Sequence, residues 1–156
     1  MEKVRLGLFA LSHQSEFIPE VAMAFVWKSE YSVGIREIDE QHKKLVKLIH
    51  DLDAAMQKGQ GKQSLGTLLK ELIGYTGNHF AAEERLMKTY AYPEYEAHKE
   101  KHEKMTQKVL DIQRQHAEGR VTITLEVMQF LENWLDKHIL GTDQKYSSFL
   151  RSHGVQ

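Results

Sequence analysis

From Gly34 onward, apolar residues recur at alternating steps of three and four, the spacing that places them on one face of an α-helix. A first stripe runs Ile38, His42, Leu45, Ile49, Leu52 and Met56, and Gly59 and Gly61 are expected to end it. A second runs Leu65, Leu69, Leu72, Thr76, His79, Glu83 and Leu86, with Ser64 where an N-cap belongs. Gly74 and Gly77 fall inside this stripe at a cost of about 1 kcal/mol each relative to alanine, and are expected to permit close helix contact. Tyr92-Pro93-Glu94 marks a break, with Pro93 suited to the first turn of the next helix. The third stripe is His98, His102, Met105, Val109, Ile112 and His116, closed by Gly119. The fourth is Leu125, Met128, Leu131, Leu135 and His138, interrupted by Gly141. Tyr146, Phe149 and Leu150 follow in a short tail able to dock on the rest. No strand-like alternation, internal repeat or low-complexity tract is present. The pattern predicts an all-α fold, an up-down-up-down four-helix bundle with an N-terminal arm and a short C-terminal helix.

Residues 1–22 do not share this pattern. Leu6 to Leu11 is a short apolar run after Lys3 and Arg5, and Ala22-Met23-Ala24 resembles a signal-peptidase site. The run is too short for the apolar core of a secretion signal, and Ser12 to Glu20 is largely polar. Residues 1–22 therefore read as an appended extension with Met23 as an older start, and residues 23–156 as the domain. A length of 156 residues suits one domain. Composition (41% hydrophobic, 28% charged) argues against disorder. Lys+Arg 21 against Asp+Glu 22 leaves a net charge of −1, with no basic excess for gripping phosphates, so no nucleic-acid partner is expected. No apolar run has membrane-spanning length, and a cytoplasmic location without a membrane partner is expected. The chain has no cysteine, which excludes disulfides, thiolate zinc sites and cysteine-ligated iron–sulfur clusters.

The chemistry lies where the apolar stripes are broken. His42, His79, Glu83, His98, His102 and His138 all occupy inward positions, so each helix aims at least one histidine at the bundle axis. A buried carboxylate such as Glu83 is costly unless paired or metal-bound. His79 and Glu83 are four apart, as are His98 and His102, so each pair sits one above the other and can reach one metal or two adjacent metals. His138 and Asp143 are five apart, which on a regular helix turns Asp143 about 140° away. Asp143 can point inward only if the helix loosens or ends between them, and Gly141 supplies that freedom. Five imidazoles and two carboxylates are too many for one tetrahedral zinc, but they suit two metals. A solvent-derived bridge and two bridging carboxylates would give each ion three ligands. Five histidines then divide three to two, leaving one ion six-coordinate and the other five-coordinate with a vacancy for a small molecule.

These residues also carry a resemblance. The chain resembles the hemerythrins, and among them the single-domain bacterial hemerythrins, from about Val26 to Leu150. The signatures are Val33-Gly34-Ile35 through Asp39-Glu40-Gln41-His42, then His79-Phe80-Ala81-Ala82-Glu83-Glu84, then His98 and His102, then Trp134-Leu135-Asp136-Lys137-His138-Ile139 and Asp143. The resemblance implies a non-haem centre of two Fe ions, oxo- or hydroxo-bridged, that binds O2 reversibly. It implies that His98, His102 and His138 hold the saturated iron. His42 and His79 would hold the open one, and Glu83 and Asp143 would bridge. It further implies that O2 binds end-on at the open iron and is held there as hydroperoxide. An O2 pocket walled by Leu45, Phe80, Trp134, Leu135 and Ile139 is also implied. Physics asks for such walls, because the hydrophobic shell controls solvent access and redox potential at a metal site.

The expected role is oxygen storage, delivery or buffering rather than enzymatic turnover. The ligand set is imidazole-rich, unlike the carboxylate-rich sets of ferritin-like di-iron proteins. The alternatives are an O2, NO or redox sensor acting through a partner protein, and a di-iron enzyme consuming peroxide or nitric oxide. NO or small anions could also occupy the open iron, and a protein partner could receive the O2. His50 and His116 are expected to take no part in the metal site, and His13 and His153 to be solvated. Glu84 turns about 100° from Glu83 and is expected to face solvent. Asp39 is expected to cap the first helix, and Trp27 and Tyr31 to fix the arm against the bundle.

Overall fold

The computed structural model describes residues 25–156. The expectations for residues 1–22 and for Met23 as a start lie outside this range. Among the described residues there is no strand. The helices are α1 (Arg36–Gln57), α2 (Lys62–Thr89), α3 (Tyr95–Ala117), α4 (Leu125–Lys137) and α5 (Gln144–Ser152). A short 3-10 turn, Ser29–Tyr31, precedes α1, and a π-helical segment, His138–Asp143, joins α4 to α5. Helix α1 packs on α2 and α4, and α2 packs on α1 and α3. With short connections at 58–61, 90–94 and 118–124, neighbours run antiparallel, as the stripes predict. No helix among the described residues is long and apolar enough to cross a membrane.

The helix ends follow backbone chemistry. Gly59 and Gly119 adopt φ +67° and +74° just beyond α1 and α3, a left-handed conformation that side chains disfavour. Two start signals and a pair of glycines sit differently from expectation. Helix α2 begins earlier than Ser64, on Gly61 as N-cap, so Ser64 lies inside the first turn. Pro93 stays in the turn before α3, whose N-cap is Glu94. Gly74 and Gly77 face open space and permit no close contact, since a Cβ at either position would meet nothing. Helix α4 has a side-chain cap that the pattern did not reveal, with Val127 N–H donating to Thr124 Oγ1 at 3.4 Å.

The stripes are the core, except that Met56 and Ile112 are only half-buried and two further positions depart from it. Leu125 opens α4 at 55% exposure, and Leu86 is half-buried while its neighbour Met87 is fully buried. The antiparallel order puts early residues of α1 and α3 at the same end as late residues of α2 and α4. Leu52, Leu69, Met105, Val109, Met128 and Leu131 fill the other end. The arm docks as expected. Tyr31 is fully buried, its hydroxyl donating to Asp136 Oδ1 at 2.7 Å, and Trp27 meets its ring edge-on. Asp39 does not cap α1. Its carboxylate accepts from Val33 N–H at 2.7 Å and Ser32 Oγ at 2.6 Å, which holds the arm where it enters the helix.

Just beyond α2, Ala91 adopts φ +53°, where α1 and α3 are followed by glycine. That conformation costs an L-residue about 1–2 kcal/mol, partly offset by the lower entropy of the unfolded alanine chain. Ala91→Gly is expected to raise the melting temperature by a few degrees. A lowered melting temperature would contradict this account of the α2 terminus.

Candidate metal centre

Polar side chains reach one level of the bundle axis from every side: His42 from α1, His79 and Glu83 from α2, His98 and His102 from α3, and His138 and Asp143 from the π-helical segment after α4. All seven are buried, and His42, His79, Glu83 and Asp143 are fully so. The i, i+4 pairs sit one above the other as their spacing requires. His138 and Asp143 converge because the segment between them is π-helical. Its i→i+5 hydrogen bonds widen the turn, so residues five apart share a face. The expected loosening at Gly141 takes this form.

The ligand atoms fall into two groups, each within 4.8 Å mutually. One is Glu83, His98, His102 and His138, and the other is His42, His79, Glu83 and Asp143. Glu83 divides its oxygens between them. Oε1 lies 3.5 Å from His79 Nε2 and 3.9 Å from His42 Nε2. Oε2 lies 3.0 Å from His102 Nε2 and 3.7 Å from both His98 and His138 Nε2. Asp143 does the same. Oδ2 is 3.1 Å from His42 Nε2, and Oδ1 is 3.1 Å from His138 and 3.5 Å from His98. The histidines thus divide three to two, with both carboxylates spanning the division.

The donor set fits cations. Asp143 Oδ1 and Oδ2, Glu83 Oε2 and the Nε2 atoms of His42, His79 and His138 are buried without hydrogen-bond partners. Six lone-pair-bearing atoms turned toward one another in a dry interior are costly unless something positive lies between them. Nitrogen and carboxylate donors in this proportion suit a first-row transition metal such as non-haem iron.

Outer contacts fix the ligands. His79 Nδ1–H donates to Gln41 Oε1 at 2.9 Å, and His102 Nδ1–H donates to Glu84 Oε1 at 2.9 Å. Glu84 therefore does not simply face solvent. Turned away from the axis, it meets α3 and braces a ligand. Tyr146 of α5 donates its hydroxyl to Glu83 Oε1 at 2.6 Å. The backbone of Tyr31 approaches the His42 ring without completing a hydrogen bond to Nδ1. Sequence spacing missed Gln41, Glu84 and Tyr146 as site residues. The one available signal is that a metal-bound imidazole needs an acceptor for its second N–H.

The walls follow expectation in part. Phe80 stacks on His102 with centroids 3.8 Å apart, and Trp134 stacks on His138 at 4.7 Å. Leu45, Leu135 and Ile139 are buried. Leu45, Trp134 and Leu135, with Thr76, Met105 and Leu131, line a small apolar cavity one turn below the ligands. Its single hydroxyl, Thr76 Oγ1, is committed to the Leu72 carbonyl at 2.8 Å. Outside the cluster, His50 lies beside Asp51 at the surface, and His153 is exposed. His116 is buried, with Nδ1 3.3 Å from the Val121 carbonyl and Nε2 3.0 Å from the Lys62 carbonyl. His13 lies outside the described residues.

In the metal-free protein, burial lowers His42, and it holds His79 at about 3 and His138 at about 4. Burial also pushes Glu83 up, but the surrounding imidazoles of His79, His102, His138 and His98 prevail and hold it low. Asp143 moves the other way, raised by burial and then by the charge of Glu83. His42, His79 and His138 are therefore neutral, and able to ligate, at neutral pH. The unfolded chain protonates its histidines near 6.5, before the folded one does, so their contribution to stability is lost as pH falls through the folded values. Glu83 acts in the same direction and Asp143 opposes. The melting temperature of metal-free protein is expected to fall steadily from pH 7 to 4.5. A melting temperature constant over that range would contradict burial of neutral imidazoles.

Comparison with known proteins agrees with this geometry. The sequence model of the hemerythrin HHE cation binding domain matches residues 33–150. The chain is 34% identical over 128 residues to a bacteriohemerythrin of Stenotrophomonas maltophilia, covering 82% of each. It is 38% identical over 126 residues to a hemerythrin-like protein of Naegleria gruberi, covering 81% of this chain and 93% of that one. A crystal structure of wild-type hemerythrin superimposes with a TM-score of 0.74 at 29% identity, over 80% of this chain and 96% of that one. With its four-helix bundle and its buried cluster of histidines and carboxylates, the chain belongs to the hemerythrin family.

Proposed function

We propose that this protein binds O2 reversibly at a di-iron centre, for storage, delivery or buffering of oxygen, and that it is not an enzyme. The observation that carries the reading is the division of both carboxylates. Glu83 and Asp143 each turn one oxygen to a three-histidine group and the other to a two-histidine group. His98, His102 and His138 would hold one ion, and His42 and His79 the other, which then has one ligand fewer. When bound, iron supplies the two electrons that O2 uptake requires and takes them back on release.

The chain's own residues favour return of O2 over its consumption. Leu45, Trp134 and Leu135 wall the cavity with apolar groups, and Phe80 and Ile139 extend the dry shell around the ligands. Thr76 is the cavity's one hydroxyl and is already committed to Leu72, so no hydroxyl there is free to donate a proton. Neutral imidazoles also make up most of the donor set, which favours ferrous and ferric ions over higher oxidation states.

Protein reduced and loaded with iron under anaerobic conditions is expected to develop a visible charge-transfer band when O2 is admitted, and to lose it under vacuum over repeated cycles. A protein that binds one iron, or that oxidises irreversibly at the first exposure, would overturn the reading. Leu135→Asn puts a polar group into the cavity wall and is expected to speed autoxidation several-fold at unchanged iron content. An unchanged rate would contradict the role given to the walls.

A further inference from the structure

The hydrogen bonds that brace the ligands are not alike on the two sides of the centre. In the three-histidine group, His102 Nδ1–H donates to a carboxylate, Glu84 Oε1, at 2.9 Å. In the two-histidine group, His79 Nδ1–H donates to a neutral amide oxygen, Gln41 Oε1, at the same distance. An imidazole that donates to a carboxylate gains imidazolate character and is the stronger donor to a metal. An amide oxygen orients the ring with much less of this effect. Tyr146 adds a contact in the same sense. Its hydroxyl donates to Glu83 Oε1, the oxygen turned toward His42 and His79, and draws electron density from that side of the bridge. Glu83 Oε2, turned toward the three histidines, has no hydrogen-bond donor.

We propose that Glu84 and Gln41 are positioning residues that make the two ion positions unequal. The carboxylate behind His102 tightens the three-histidine position, and the amide behind His79 leaves the two-histidine position the weaker and more electron-poor. The ligand count already tips the balance this way, and the outer contacts reinforce it. The three-histidine position therefore fills first. The ion with the open seat is the one more ready to accept an additional ligand. This inference rests on the two-ion reading above.

Anaerobic titration of the metal-free protein with Co(II) against a chromophoric chelator tests it without reference to O2. Wild-type protein is expected to bind two ions with separable dissociation constants. Glu84→Gln, which keeps the shape and removes the charge, is expected to weaken the tighter step about 10–100-fold and leave the weaker step unchanged. Gln41→Glu places a carboxylate behind His79 and is expected to tighten the weaker step, narrowing the gap between the two. This second variant carries the test alone if circular dichroism shows that Glu84→Gln fails to fold. Two steps in wild type with Glu84→Gln shifting both equally or neither, or with Gln41→Glu leaving the weaker step in place, would overturn the inference and leave the two-ion reading standing. One binding event in wild type, or none, would overturn both.

Discussion

A carboxylate with no exposure to water, ringed by imidazole nitrogens, is the constraint around which this molecule is arranged. Glu83 lies on the bundle axis, with four histidines from three other helices and one from its own within 3.9 Å of its oxygens. An uncompensated charge in such a place would be expelled or neutralised by a proton. Asp143, alongside, shows that tendency, since burial and the charge of Glu83 together raise it. Two cations between the groups would relieve both carboxylates and the unpartnered Nε2 atoms of His42, His79 and His138 at once.

The fold serves that constraint by bringing chain positions far apart in sequence to one level. Antiparallel packing sets the start of α1 and α3 beside the end of α2 and α4, so one end of the bundle is polar inside and the other is a plain apolar plug. The last ligand needs a local exception. A regular helix after His138 would turn Asp143 away, and the π-helical segment returns it to the axis. Helix α5 then places Tyr146 against Glu83, so the segment that aims one buried carboxylate also delivers the brace for the other.

Much of this is legible in the chain, because a helix converts spacing into direction. The i, i+4 pairs of α2 and α3 announce a shared face, and the five-residue interval with Gly141 inside it announces a break in regularity. What spacing cannot give is the identity of neighbours across helices. The spacing points Glu84 toward solvent, about 100° from Glu83 around the helix. That angle is right, but α3 stands on that side and presents His102. Gln41 and Tyr146 were missed for the same reason, since their partners sit on other helices. Gly74 and Gly77 show the converse error. A residue type associated with close packing was read as a contact, and the structure shows open space there.

The central claim is that Glu83 lies between two ions rather than beside one. The most direct measurement is an anomalous-difference map at the iron absorption edge from crystals of iron-loaded protein. Two peaks are expected, one against His98, His102 and His138 and the other against His42 and His79, with Glu83 and Asp143 each contacting both. A single peak, or two peaks that share no carboxylate, would contradict it.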